Sequence, residues 1–205
     1  MAHTTYSGLT ADLNAYTERT YSQELADTFI SNAEAKFNRR LGPNYRRMTS
    51  ATLTTDASGE ASLPSGFVTM RSLVRDVAGS TPLVQVSWDA LIRLNPYEIS
   101  SDAEFFAIKS GTTLRVAPVT EDSYLAAYDA SLTPLSSGNT SNWLSVEAPD
   151  IYLTMILAEA RMFEEEWGTA AGLEGKAYEM LDDLTNRDVV AQYANVEIVL
   201  DMATP

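Results

Sequence analysis

Apolar residues recur at helical spacing at both ends of the chain and at strand spacing in the middle. Near the N-terminus Leu9, Leu13 and Tyr16 predict a short amphipathic helix over residues 8–18. In a second helix Leu25, Phe29, Ile30, Ala33, Phe37 and Leu41 repeat every three or four residues. Thr20 to Gln23 has the T-x-x-Q form of a capping box ahead of it, and Gly42-Pro43 stops it. From about residue 50 to 141 the chain turns to Thr, Ser, Val and Leu, punctuated by Gly and Pro. Strands are predicted at 51–55, 68–77, 83–87, 104–109, 112–117 and 124–130, with one helical turn at 89–94. Ser110-Gly111 is a hairpin signal, and the pattern fits a small antiparallel sandwich or barrel-like sheet. The polar run SSGNTS at 136–141 marks a boundary.

Residues 142–168 form the most apolar stretch. Pro149 suits a first helical position, and Asp150 places negative charge in the first turn. Ile151, Tyr152, Leu153, Met155, Ile156, Leu157, Met162 and Phe163 cover more than one face, which predicts a buried helix over about 149–167, stopped by Gly168. A further helix carries Leu173, Ala177, Met180, Leu181 and Leu184 on one face. The tail contains VEIVL at 196–200, a strand-like run open to two readings: it folds back on its own sheet, or it anchors to another protein. Neither helical segment can bury its apolar face alone. The expected fold is therefore α+β: a helical bundle built from both chain ends, with an inserted antiparallel β-domain. The expected divisions are 1–48 and 142–194 for the bundle, 49–141 for the insertion, and 195–205 for an extended tail.

Composition narrows the chemistry. The 205 residues contain no cysteine, and His3 is the single histidine. Disulfides, thiolate sites, a Ser–His–Asp triad and a multi-histidine metal site are thereby excluded. The ten glycines form no phosphate-binding loop, and no cofactor is expected. No signal peptide is read at the N-terminus, and the apolar run inside 151–163 is too short to span a bilayer, so a soluble protein without membrane contact is expected. The neighbours Glu121 and Asp122, and Asp182 and Asp183, are the nearest approach to a paired-carboxylate hydrolase. Sequence neighbours of this kind are usually solvated charges.

Charge is strongly skewed. Asp+Glu number 28 against 14 Lys+Arg, for a net charge of −14, so phosphate binding over the general surface is disfavoured. Most of the excess lies in residues 145–205, with 13 acidic and 3 basic residues. Lys36, Arg39, Arg40, Arg46 and Arg47 form the opposing cluster. The first three suit a helix C-terminus; Arg46 and Arg47 lie past the Gly42-Pro43 stop and point to a partner or a neighbouring subunit. Glu164, Glu165 and Glu166 at the end of the buried helix oppose its macrodipole. They are read either as a solvated face or as the counterpart of arginines on an adjacent chain.

Six segments in order carry a resemblance. They are FISNAEAKFNRRL (29–41), LPSGFVTMRSLV (63–74), PLVQVSWDAL (82–91), FFAIKSGTTLRVAPV (105–119), NWLSVEAPDIYLTMILAEARMFEEE (142–166) and a last amphipathic helix. Together they resemble the head–tail adaptor (connector) proteins of tailed double-stranded DNA bacteriophages. The resemblance implies a structural virion protein, not an enzyme, located at the head–tail junction. It implies a homo-oligomeric ring, commonly twelve-fold, between the portal protein and the tail or nozzle protein, with DNA passing through without specific binding. Another neck or tail-completion role is the alternative. On this view Arg39, Arg40, Arg46 and Arg47 meet Glu164, Glu165 and Glu166 of the next subunit, and Val196, Ile198 and Leu200 of the tail reach the portal.

Overall fold

The computed structural model describes residues 4–41, 47–94, 103–109 and 111–193, and side chains as far as residue 187. In chain order the elements are α1 (Tyr6–Thr17), α2 (Gln23–Arg40), β1 (Met48–Thr54), β2 (Glu60–Ser62), β3 (Phe67–Arg75), β4 (Val84–Gln85) and α3 (Trp88–Arg93). They continue with β5 (Phe105–Lys109), β6 (Thr113–Ala117), β7 (Ser123–Ala130), α4 (Trp143–Glu147), α5 (Pro149–Phe163) and α6 (Trp167–Tyr193). The protein is α+β, and it divides into two compact units: Met1–Arg46 with Leu132–Pro205, and Arg47–Ser131.

The first unit is helical. Leu9 and Leu13 of α1 are wholly buried, as are Ala26, Ala33 and Phe37 of α2. They pack with Tyr152, Met155 and Ile156 of α5 and with Ala177 and Leu181 of α6. Each large apolar side chain buried here contributes about 1.5–3 kcal/mol. The Phe37 and Tyr152 rings meet edge-on at 5.1 Å, a preferred aromatic geometry. Leu132 and Leu135 belong to the same core, held by backbone N–H groups that donate to Asn38 Oδ1 and Glu34 Oε1, each at 2.7 Å.

Two helix boundaries differ from the sequence expectation. Ser22, not Thr20, caps α2: its Oγ accepts from the Leu25 N–H at 3.3 Å, which places Gln23 inside the first turn. The buried helix does begin at Pro149, but it ends at Phe163, well before Gly168. Glu165 turns the chain with φ of 64°, and Trp167 and Gly168 open α6 instead of closing α5. Nor is α5 buried to its end, since Phe163 is 59% exposed. Just upstream, Asn142 and Ser145 form a reciprocal capping box that starts the short α4.

The second unit is two small sheets, ordered β1-β7-β3 and β2-β6-β5-β4. β7 pairs antiparallel with both neighbours, from Met48↔Asp129 to Thr54↔Ser123 on one side. β5 and β6 form the predicted hairpin about Gly111, with Lys109 opposite Thr113. Inward residues of both sheets (Leu53, Leu73, Tyr124 and Ala126 from one, Phe106, Leu114 and Val116 from the other) share one core, as alternation requires. Leu91 of α3 packs on Ala107 and Ala117. Two features depart from an all-antiparallel insertion of six strands. β4 runs parallel to β5, because the chain crosses over through α3 before rejoining the sheet in the same direction. The three-residue β2, paired with β6, was too short to leave a periodic signal.

Candidate functional site

The basic cluster does not form one surface. Lys36, on α2, is turned inward, with Nζ 2.7 Å from Glu159 Oε1 of α5 and 2.9 Å from Glu174 Oε1 of α6. Burial pulls the Lys36 pKa down, but the bonds to Glu159 and Glu174 outweigh it and hold the ammonium charged. Arg40 makes a bidentate pair with Asp182 of α6, at 2.9 and 2.5 Å, and its guanidinium lies 5.6 Å from the centre of the Tyr178 ring. Arg39, in the last turn of α2, is exposed. Arg47 belongs to the β-unit and is only 4% exposed; its Nε donates to the Ala130 carbonyl at 2.9 Å. Burial lowers the pKa of Arg47, and the nearby Asp129 works against that shift. Arg46, Val196, Ile198 and Leu200 lie outside the described residues.

The three carboxylates of the acidic run divide: Glu164 is bound within its own chain, while Glu165 and Glu166 face solvent. The Glu164 side chain is 4% exposed and accepts from the Tyr21 hydroxyl at 2.6 Å. Arg19 Nε approaches its Oε1 to 2.9 Å, and Arg161 donates to its Oε2 at 2.8 Å. The hydrogen bond from Tyr21 is the foremost reason that the Glu164 carboxyl lies below its ordinary pKa, with Arg161 and Arg19 adding to it. Glu165 and Glu166 are exposed, and Glu166 lies 3.4 Å from Arg161. The conflict with the α5 macrodipole is offset at the next helix. The Glu166 carbonyl accepts from Ala170, so the three carboxylates also stand at the N-terminus of α6, where negative charge is favoured.

Glu164 therefore fastens the α5–α6 turn to the α1–α2 turn. Three large aromatics stand exposed at this end of the helical unit: Tyr16 at 60%, Phe163 at 59% and Trp167 at 63%. Phe163 rests on Phe29 at 5.7 Å, and Phe29 meets Tyr21 edge-on at 5.3 Å. The sequence reading passed over Arg19, Tyr21 and Trp167. The available signal was a triplet of carboxylates flanked by Phe163 and Trp167, which a continuous buried helix would not place together.

Of the four adjacent carboxylates named as hydrolase candidates, three are tied to cations, and Glu121 is exposed. Asp122 pairs with Arg75, Asp182 with Arg40, and Asp183 with Arg187. A cleft of about 610 Å³ beside the 77–84 loop includes Arg75 in its lining and a single carboxylate, Glu104. Among the described residues no group of His, Asp and Glu could hold a metal ion, and no helix is long and apolar enough to cross a membrane.

A family model described as SU10 adaptor protein matches residues 4–197. The chain belongs to the SU10 adaptor family. The match runs through both compact units. No curated protein matches the chain. The SU10 adaptors are structural phage adaptor proteins and not a known enzyme family. For such a protein the surfaces matter more than the clefts, and the exposed Phe163 and Trp167 flank the turn that Glu164 holds.

Proposed function

We propose that this chain is a head–tail adaptor that assembles as a ring between the portal protein and the tail or nozzle of a tailed phage, within the virion. The observation that carries the reading is the family match over residues 4–197, nearly the whole chain. The α+β fold is compatible with it, since helices at both chain ends and strands between them are the order that the resemblance implies. The net charge of −14 fits a ring through which DNA passes without adhering, because a negative wall repels the phosphate backbone. In this reading the tail at 195–205 reaches the portal through Val196, Ile198 and Leu200, and exposed Arg39 is available to a neighbouring subunit.

The test is the mass of the purified protein in solution, alone and mixed with the portal protein of the same virus. A closed ring, formed alone or on the portal, supports the adaptor reading. A protein that ignores the portal moves the assignment to another neck or tail-completion role. Deleting residues 195–205 tests the tail: unchanged portal binding would remove it from the contact.

A further inference from the structure

One sheet edge of the β-unit is left open. β1 lies at the edge of the sheet ordered β1-β7-β3 and pairs with β7 along all of its seven residues, in continuous register. The Thr55 N–H donates to the Asp122 carbonyl at 2.9 Å, which fixes the phase of the ladder. Thr49, Ala51 and Leu53 therefore bond to β7, and Met48, Ser50, Thr52 and Thr54 turn their N–H and C=O groups to the outer edge. Among the described residues no backbone hydrogen bond reaches those outward groups. The side chains of the same four residues are exposed.

Open edges accept strands from other chains, and proteins blunt them with charge, proline, bulges or short length. The other edges of these two sheets are blunted. β3 has two register irregularities, and its Leu73 carbonyl accepts the Leu83 N–H at 2.8 Å. β2 and β4 are three and two residues long. β1, with the sequence MTSATLT, has no charge, no proline and no glycine. Its inward side is also incompletely covered: Leu53 is buried in the core of the unit, Ala51 is only partly buried against that core, and Thr49 is exposed. A further strand beside β1 would complete the ladder and cover that side.

The chain holds a segment of matching chemistry. Twelve residues, 194–205, follow the end of α6 at Tyr193 and lie outside the described residues. Among them VEIVL at 196–200 has three β-branched residues, the composition that strands favour. As a strand it sets Val196, Ile198 and Leu200 on one face and Glu197 and Asp201 on the other. The apolar face matches the Ala51 and Leu53 side of β1, and the carboxylates then share the exposed side with Ser50 and Thr52. Twelve extended residues reach up to about 40 Å, enough to leave one subunit and lie along an edge of about 23 Å in another.

We propose that residues 196–200 of one copy add as a strand to the outer edge of β1 in a second copy. Donor and acceptor are different parts of the same molecule, so the contact passes from copy to copy and can close a ring. This rests on the ring reading above and names a contact within it; Val196, Ile198 and Leu200 then serve the next subunit in place of the portal. Main-chain hydrogen bonds carry the contact, which needs no charge pairing across the interface.

Two full-length variants test it. Ile198→Asp sets a carboxylate against Ala51 and Leu53. Ser50→Pro removes an outward N–H, and edge strands tolerate proline at such positions. After circular dichroism has verified folding, native mass is measured in the condition where the wild type forms its ring. Each variant alone should lose the ring. Mixed, they should form a one-to-one pair that grows no further, because the tail of the Ser50→Pro chain meets the intact edge of the Ile198→Asp chain. Amide exchange gives a second readout that needs no change in β1. The Ser50, Thr52 and Thr54 N–H groups should exchange at least about tenfold more slowly in the wild-type ring than in the Ile198→Asp chain, with Thr49, Ala51 and Leu53 protected in both. A ring from either folded variant, no pair in the mixture, or equal exchange at 50, 52 and 54 would overturn the proposal and leave the ring reading standing. A ring that survives Ile198→Asp but not Ser50→Pro would give the edge to another strand, such as β1 of a second copy. A wild type that forms no ring, alone or on the portal, would end both readings.

Discussion

The hydroxyl of Tyr152 donates to Oε1 of Glu34 at 2.7 Å, and both side chains are buried in the helical unit. The same oxygen accepts the Leu135 N–H, and Asn142 Nδ2 donates to the Tyr152 oxygen at 3.0 Å. One carboxylate thus ties α2, α5 and the 132–142 connection together. Burial raises the Glu34 pKa above 4.5, although the bonds from Tyr152 and Leu135 favour the charged form. A buried acid with a raised pKa binds its proton more tightly in the folded state. Its stabilising share is full below pH 4.5 and is lost as pH rises through the raised value. Glu34→Gln should remove that fall from a plot of melting temperature against pH, and an unchanged slope would refute it. Tyr152→Phe leaves two buried polar partners short of a bond and should cost about 2 kcal/mol by denaturant unfolding.

Glu164 has the opposite sign. Its pKa is depressed, first by the Tyr21 hydroxyl, so its contribution is present above pH 4.5 and is lost as pH falls through the depressed value. Glu164→Gln should therefore flatten the acid limb of the stability curve, where Glu34→Gln acts on the limb above it. Removing the side chain altogether, in Glu164→Ala, should cost about 1–3 kcal/mol by leaving Tyr21 and Arg161 without their acceptor. It should also loosen the α5–α6 turn, which faster amide exchange at 164–168 would report. Protection equal to the wild type would mean the turn holds itself.

Much of the fold was legible because local pattern and tertiary environment agree. In α2, Phe29, Ile30, Ala33 and Phe37 recur at helical spacing and are all buried. In β7 the alternation of Tyr124, Ala126 and Tyr128 is the inward face of its sheet. The break between α5 and α6 was not legible, since neither Glu164 nor Glu165 is a helix breaker. It is held from a distance by Tyr21, 143 residues away in sequence. The environments within the basic cluster were not legible for a related reason: Arg40 pairs with Asp182 of α6, and Arg47 is buried in the other unit. Adjacency in sequence gave no access to which cation is buried and which is free to meet a partner.

Arg47 is consequently a poor position for probing assembly. Its guanidinium sits beside Asp129 in the β-unit, at 4% exposure. Arg47→Glu would place a second buried carboxylate near Asp129 and should cost about 3–5 kcal/mol. Exposed Arg39 gives the contrast: Arg39→Glu should stay within about 0.5 kcal/mol of the wild type. Thermal unfolding of the two variants decides the matter. If both unfold like the wild type, the burial assigned to Arg47 is wrong. An assembly defect in Arg47→Glu carries information only when its melting temperature is unchanged.

Gly66 and Gly79 separate two costs that a single substitution would mix. Both hold positive φ, 77° and 85°, so an alanine at either pays for left-handed backbone, about 1–2 kcal/mol. At Gly79 an added Cβ meets nothing within 4 Å. At Gly66 it would lie 2.9 Å from Ser131 Oγ, on the residue whose N–H donates to the Gly66 carbonyl at 2.7 Å. Gly66→Ala should therefore be the more destabilising of the two in denaturant titration. The hydroxyl is the end of a short side chain and can rotate away, so the excess should be modest, below about 1 kcal/mol. It should vanish in a Ser131→Ala background, where the obstructing atom is gone. An excess that survives Ser131→Ala would have to come from the backbone pairing between Gly66 and Ser131, which closes the junction of β3 with β7.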